Sequence, residues 1–434
     1  VVPSIEPGDV RRELPAAAPD DPEPLEAILD DYHRLIEPNI THWQHPGFMA
    51  YFPSVASGPG ILGEWLATAL NSNVMFWRNA PASTELEQTV VDWMRAMVGL
   101  PEGFDGMFTD TASVSSVLSL VAARHAVEGK PRRLRFYRSQ EAHMSIDKAA
   151  IVTGIGLEGV RAIPADDDYR MRPDALAAAV EEDRAAGWTP FSVVATLGTT
   201  SSTRVDPPDA IADVCERETL WEHVDAANAG SAAVLPEMRH LVAGCERAAS
   251  IVVNPHKWFY TPFDASLLFF RDPDAYRAAF SLTPDYIDNR DADVKNYNEY
   301  GIQLGRRFRA LKMWVLIRWF GVEGIRARLR EHCAWAAEFA DWVDTADDWE
   351  RLAPVPFSTV CYRHCPPGMT GEAELEKHNQ AIVDAVNATG KFYISSTKLN
   401  GKFAIRLALG NPRASAEHVR AVWELLRASA GSPR

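Results

Sequence analysis

Three stretches in the middle of the chain decide the fold: FSVVATLGTTSS at residues 191–202, WEHVDAANAGSA at 221–232 and SIVVNPHKWFY at 250–260. Each opens with a short apolar run that breaks into small or polar residues. Runs of this kind, bounded by turn residues, read as buried strands. Helical segments lie before and between them, DALAAAVEEDRAAG at 174–187 and PDAIADVCERE at 208–218. Working outward, strands are expected at Arg133–Tyr137, Gly159–Ile163, Phe191–Leu197, Leu220–Asp225, Ser250–Asn254 and Ala265–Phe270. Strands alternating with helices predict an α/β domain with a mostly parallel central sheet flanked by helices.

On the N-terminal side, residues 1–24 are rich in Pro and acidic residues and read as loose. A helix is expected in PLEAILDDYHRLIEP, with Leu25, Ile28, Leu29, Tyr32, Leu35 and Ile36 on one face and Pro38 as its stop. Two more helices follow over 60–99, the second opened by Thr84 and Glu87 as a capping box. Residues 281–300 have many charges and no apolar period, so they predict an exposed, mobile loop. Helices then run from GRRFRALKMWVLIRWFG through WAAEFADWV. The strands FYISSTKL and KFAIRLAL are joined by Asn400-Gly401, a hairpin signal. A last helix places Val419, Val422, Trp423 and Leu426 on one face.

The chain has 434 residues, enough for two or three domains, and a net charge of −15 from 59 acidic and 44 basic residues. Phosphate-backbone binding needs a basic face, so nucleic acid is not expected as a partner. No apolar run reaches membrane-spanning length. Five cysteines, an odd number, fit a reduced, cytoplasmic setting. GIGLEG at 154–159 matches G-x-G-x-x-G, but a helix precedes it and a strand follows, the reverse of a dinucleotide site; it reads as a Gly-rich turn. Cys361, His364 and Cys365 suggest half of a zinc site without a second half, so no metal is expected.

The chemistry is expected where strands end. Thr200 follows FSVVATLG, Asp225 ends WEHVD, and Lys257 follows SIVVNPH. In open α/β sheets ligands bind outside the carboxyl ends of the strands, which places these side chains in one crevice. Singly, each has a plainer reading: a strand-end Asp caps helices, and a Lys is usually solvated. Yet Lys257 lies between apolar strands, and burial drives an ammonium toward a nucleophilic amine. The combination suits pyridoxal phosphate, with Lys257 joined to it and Asp225 paired with its protonated ring nitrogen. Thr200 and the hydroxyls Thr111, Ser113, Ser115 and Ser116 are candidates for the phosphate, because that segment opens a helix. His143 could lie over the ring, or cap the helix that follows it.

The motifs HPGFMAYFPS, YRSQEAHMSIDKA, TLGTTSS, HVDAANAGSA, NPHKW and LGRRFRALKMW occur in this order, within a stretch that runs from about residue 25 onward. Together they resemble the pyridoxal-phosphate aromatic-L-amino-acid decarboxylases of the group II type. The resemblance implies fold type I, the PLP-dependent transferase-like fold. It further implies an N-terminal helical dimerisation segment (1–57), a large cofactor domain (58–311), a small α+β C-terminal domain (312–434), and a homodimer with active sites at its interface. Carried over, Lys257 matches the cofactor-bearing lysine, Asp225 the carboxylate at the ring nitrogen, and His143 the stacked imidazole, with Ala227 on the other face. Ala112, Ser113, Thr200 and Asn254 match cofactor contacts, several at the phosphate, and His256 lies near cofactor and substrate. Trp43, Tyr51, Phe52, Pro53 and Ser54 match the substrate wall; core packing is their alternative.

Tyr286, in PDYI, matches the tyrosine that returns a proton to Cα, with Tyr297 and Tyr300 as rivals. A phenol with its ordinary pKa near ~10 keeps its proton at neutral pH. Aldehyde-forming relatives often carry Phe there, so the expected reaction is decarboxylation of an aromatic L-amino acid to its amine. Oxidative decarboxylation–deamination to an aromatic acetaldehyde is the alternative, and a catalytically silent chain on this fold the remote one. Asn228 replaces a Tyr found in many relatives, and Asn73 and Met75 also depart from the animal pocket. Gly305 matches a position where Gly leaves room for an indole, which favours tryptophan.

Overall fold

The computed structural model describes residues 1–129, 133–282 and 294–431. Seven strands form the larger sheet: β1 (Asp105–Thr109), β2 (Leu134–Ser139), β3 (Val160–Ile163), β4 (Thr189–Thr196), β5 (Trp221–Asp225), β6 (Ser250–Val253) and β7 (Ser266–Phe270). Their order is β1-β7-β6-β5-β4-β2-β3. The pairs from β3 to β6 are parallel, and β7 runs antiparallel to β1 and β6. All of β6 and nearly all of β4 and β5 are buried, as strands covered on both faces are. On one face, Ser119 of the helix Ala112–His125 bonds Trp221 and Ser250. The pleat turns Glu222 and Val224 to the other face, where the helix Pro208–Glu218 packs on β4 and β5.

The strands expected from apolar runs are present within two residues of their predicted bounds. β1 was not foreseen: DGMFT is short and holds Gly106, whose place a side chain could not take, since a Cβ there would meet the Leu268 carbonyl of β7 at 2.9 Å. The Thr84–Glu87 capping box is also corrected. The helix starts a turn earlier, spanning Pro81–Val98, and the Thr84 hydroxyl donates back to the Ala80 carbonyl. Glu87 is fully buried. It accepts the Phe108 amide of β1 at 2.9 Å and pairs with Arg306 at 2.6 Å, and Arg306 also donates to the carbonyls of Val74 and Phe108.

The smaller sheet, β8 (Trp349–Arg351), β9 (Thr359–His364), β10 (Ser395–Leu399) and β11 (Lys402–Ala408), is antiparallel in the order β10-β11-β9-β8. Asn400 (φ 48°) and Gly401 (φ 79°) make the expected hairpin, both in the left-handed region that a two-residue turn of this kind needs. The long helix Arg309–Thr345, broken at Gly321 (φ 64°, ψ 165°), joins the two cores. Met313, Leu316 and Leu329 belong to the larger; Ala336, Phe339 and Val343 belong to the smaller, with Ile405 and Val422. Gly154 (φ 73°) and Gly156 (φ 76°) form a turn between a helix and β3, as expected. No described helix is long and apolar enough to cross a membrane.

The N-terminal helix Leu25–Asp31 continues as a π turn, Tyr32–Ile36. Of its predicted apolar face only Leu35 is buried; Leu25 is 64% exposed. Trp65, on the helix Gly58–Leu70, is 68% exposed.

Removing one partner of a fully buried ion pair strands the other charge, at about 3–5 kcal/mol. Glu87→Ala should therefore lower the unfolding free energy by about that much in urea denaturation. Asp9→Ala, which breaks the exposed Asp9–Arg12 pair, should change it by less than about 1 kcal/mol. Equal effects from the two substitutions would contradict the role given to Glu87.

Candidate active site

The loops after β4, β5 and β6 meet at the carboxyl edge of the larger sheet. Gly198, just beyond β4, has φ 83°, and a Cβ there would meet Ala229 Cβ at 2.7 Å. Glycine thus lets the loops after β4 and β5 touch. The Asp225 carboxylate accepts the Ala227 amide at 3.1 Å, and the Ala227 carbonyl accepts the Asn254 amide at 3.0 Å, which ties the loop after β5 to the end of β6. The Lys257 amide donates to the Asn254 carbonyl at 2.9 Å, closing the turn that carries the lysine. Ser266 of β7 donates to Asn254 Oδ1 at 2.7 Å and fixes that amide side chain.

These loops enclose a cavity of about 220 Å³. It is not the largest; a cavity of about 610 Å³ lies at the opposite edge of the sheet. The smaller one holds the candidate chemistry: Lys257, Asp225 and His143 line it together, as do Ala112, Ser113, Thr200, Ala227, Asn254, His256 and Phe52. Ser115 and Ser116 are corrected, because both turn away into the protein. The Ser115 hydroxyl contacts those of Thr109 and Ser266, and Ser116 donates to the Ala112 carbonyl.

Desolvation holds the Lys257 ammonium below the ordinary lysine value; nearby Asp225 opposes this shift and Arg406 adds to it. The lysine Nζ lies 5.2 Å from the Phe52 ring centroid. Burial likewise lowers His143, with Asp225 opposing. His143 Nδ1 accepts the Ser145 amide at 3.2 Å and meets its hydroxyl at 2.8 Å, which leaves the ring proton on Nε2. His143 lines the cavity and accepts a first-turn amide of the helix Ser145–Val152, the capping contact that the sequence offered as its plainer reading. His256 Nδ1 accepts the Ala265 amide at 3.0 Å, and burial pushes the ring down to about 3.

The helix Ala112–His125 opens on the cavity at Thr111, Ala112 and Ser113 with no side-chain cap. Its first amides have no acceptor within the helix and suit an anion. Beside Asp225, Thr196 also lines the cavity, and its buried hydroxyl has no partner among the described residues. An anion-accepting helix end, a strand-end carboxylate, a desolvated amine and an unpartnered hydroxyl together fit pyridoxal phosphate.

The remaining predicted residues lie elsewhere. Trp43 stacks on Phe48 at 4.3 Å and near Tyr51 at 5.9 Å, and the Tyr51 and Tyr393 hydroxyls are 3.1 Å apart. This aromatic group is partly exposed and lies outside the cavity. Pro53 packs on Gly410, and Ser54 donates to the His256 carbonyl. Gly305 lies near Asn73, away from this cavity. Tyr286 is outside the described residues. Tyr297 and Tyr300 are buried around Lys295, and neither lines the cavity.

Sequence reasoning missed Thr196, Ser145 and above all Arg406. This β11 arginine is only 3% exposed, and burial lowers it to about 10. It lies 4.6 Å over the Phe52 ring and donates to the carbonyls of Tyr51 and Ser201. An arginine within alternating KFAIRLAL reads as a solvated face, so no signal marked it.

The family model described as pyridoxal-dependent decarboxylase conserved domain matches residues 7–365. Tyrosine decarboxylase 2 of Narcissus pseudonarcissus is 39% identical, over 98% of this chain and 88% of that protein. Phenylacetaldehyde synthase of Arabidopsis thaliana is 38% identical, over 99% of this chain and 91% of that protein. The crystal structure of Oryza sativa TDC with PLP and tryptamine superposes with a TM-score of 0.97 at 34% identity, covering 99% of this chain and 92% of that one.

The buried His256 sets a pH dependence. Its folded pKa lies below the unfolded value near ~6.5. As pH falls from about 6.5 toward 3 the unfolded chain binds a proton that the folded chain refuses, and stability is lost at roughly 1.4 kcal/mol per pH unit. His256→Gln should flatten the acid side of a plot of unfolding free energy against pH by about one proton. An unchanged slope would mean that His256 is already charged in the fold.

Proposed function

Because the chain belongs to the pyridoxal-dependent decarboxylases and is a carboxy-lyase that works with pyridoxal phosphate, we propose that it decarboxylates an aromatic L-amino acid to the arylalkylamine and CO2, with tryptophan or another indole preferred. The observation that carries the reaction is the meeting of Lys257, Asp225 and His143 in one cavity. When bound, pyridoxal phosphate supplies the electron-withdrawing ring that draws off the electron pair of the broken Cα–carboxylate bond.

The residues divide the work. Lys257, already short of full hydration, offers its amine to hold the cofactor. Asp225 balances the charge on the ring nitrogen and keeps that nitrogen protonated. Ala112, Ser113, Thr200 and Asn254 would contact the cofactor, several of them at the phosphate, the first two through helix-end amides. His143 and Ala227 would lie against the ring, where alanine would leave room for a flat group. Arg406 and Phe52 wall the cavity near Lys257. Tyr286 donates its phenolic proton to Cα once CO2 has left, which favours amine over aldehyde.

The indole preference rests on the resemblance at Gly305, a position outside the cavity lined by this chain. A side chain there would meet only Asn73 Nδ2, at 4.0 Å, so the position has space that a larger residue would take. A homodimer is proposed because Leu25, Ile28, Ile61 and Trp65 are exposed on a segment whose own chain leaves them uncovered. Five free thiols fit a reducing compartment such as the cytoplasm.

Lys257→Ala should abolish both the cofactor's visible absorbance and turnover; retained turnover would overturn the assignment. Amine, CO2, aldehyde and peroxide measured together across tryptophan, 5-hydroxytryptophan, DOPA, tyrosine and phenylalanine should show amine and CO2 in equal amounts, fastest with an indole. Peroxide matching CO2 would mean the aldehyde-forming reaction instead. Tyr286→Phe should divert product toward aldehyde, and a variant that still makes only amine would remove Tyr286 from the proton step.

A further inference from the structure

The cavity of about 610 Å³ lies at the amino-terminal edge of the larger sheet, away from the cofactor residues. Its size falls among small-molecule sites, roughly 300–1,000 Å³. Phe191 and Leu220, 3% and 8% exposed, form its apolar wall beside β4 and β5. Ala126 lies exposed at its rim.

One group inside it is unexplained by the fold. Glu222, the second residue of β5, is 3% exposed and lines the cavity, and its Oε1 has no hydrogen-bond partner among the described residues. Among the described residues no lysine or arginine forms an ion pair with it. Arg247 and Arg271 are also on the wall; Arg247 is already engaged by Asp209, Asp213 and Glu216, and neither forms an ion pair with Glu222 among the described residues. Desolvation pushes the Glu222 carboxyl up to about 8, with Arg247 and Arg271 opposing and Glu216 adding. A buried carboxyl without a partner is costly unless something completes it.

The surroundings indicate the sign of the missing group. The helices Ala112–His125 and Pro208–Glu218 both end at this cavity, through Ala123 and Ala126 on one and Cys215 and Thr219 on the other. Helix carboxyl ends carry partial negative charge and favour cations.

We propose that this cavity is a second ligand site, taking a primary monoamine whose apolar body lies along Phe191 and Leu220 and whose ammonium pairs with Glu222. The class includes the arylalkylamines proposed above as products, but Glu222 defines the site whatever the reaction. It is separate from the catalytic cavity: Glu222 and Asp225 belong to the same strand but point to opposite faces and lie toward opposite ends.

Calorimetric titration of phenethylamine into the cofactor-loaded enzyme tests this, comparing wild type with Glu222→Gln and Ala126→Trp. Glutamine keeps the shape of the neutral carboxyl, and tryptophan at an exposed helix end fills the cavity without touching the core. Amine bound at the catalytic cavity contributes alike to all three proteins, so the difference isolates this site. Wild type should show a binding event that each variant weakens at least tenfold, while phenylacetate, of like body but opposite charge, shows none that depends on Ala126. Identical phenethylamine binding in all three proteins would overturn the proposal. So would phenylacetate binding that Ala126→Trp abolishes, since the cavity would then be an anion site.

Discussion

The site depends on one constraint: Lys257 is held out of water close to Asp225. An ammonium in such surroundings needs a counter-charge or must give up its proton, and both tendencies act here, with desolvation lowering its pKa and Asp225 opposing. A lysine in this state is attached to rigid backbone rather than to a free loop. Asp225 is the last residue of a buried strand, and Lys257 follows β6 in a turn closed by its own amide. The parallel order of β4, β5 and β6 brings their ends side by side. The loops then need only a few hydrogen bonds to enclose a small polar cavity.

The smaller sheet completes that enclosure. Arg406 of β11 reaches the carbonyls of Tyr51 and Ser201, so one guanidinium holds the segment before the first long helix and the loop after β4. The same segment is strapped down by backbone, with the Met49 amide on the Tyr393 carbonyl and the Ala408 amide on the Met49 carbonyl. The Phe52 ring thereby lies within 5.2 Å of the Lys257 Nζ and 4.6 Å of the Arg406 guanidinium. Such contacts are worth about 2 kcal/mol or more when desolvated.

Much of this was legible in the sequence because the relevant signals are local. Apolar runs of strand length, cut by Gly, Asn or Pro, located β4, β5 and β6, and the polar residues just past them located Asp225 and Lys257. Asn400-Gly401 specified its hairpin for the same reason: two residues needing positive φ allow few alternatives. What stayed hidden depends on distant partners. Glu87 looked like a helix cap because its sequence neighbours are those of a capping box; only β1 and Arg306, far along the chain, make it a buried ion pair. Arg406 sits in a strand whose alternation reads as half solvated, and its burial comes from Tyr51 and Ser201. Leu25 and Ile28 have the period of a core-facing helix, yet nothing among the described residues covers them.

The central claim, that Lys257 is the amine poised to hold the cofactor, has a direct chemical readout. Borohydride reduction of the cofactor-loaded enzyme, followed by proteolysis and peptide mass mapping, fixes the cofactor to whichever lysine carries it. The account predicts one pyridoxyl group per chain, on the peptide containing Asn254, His256 and Lys257 and localised to Lys257. A label on any other lysine, or a reduced chain that carries no label, would contradict it.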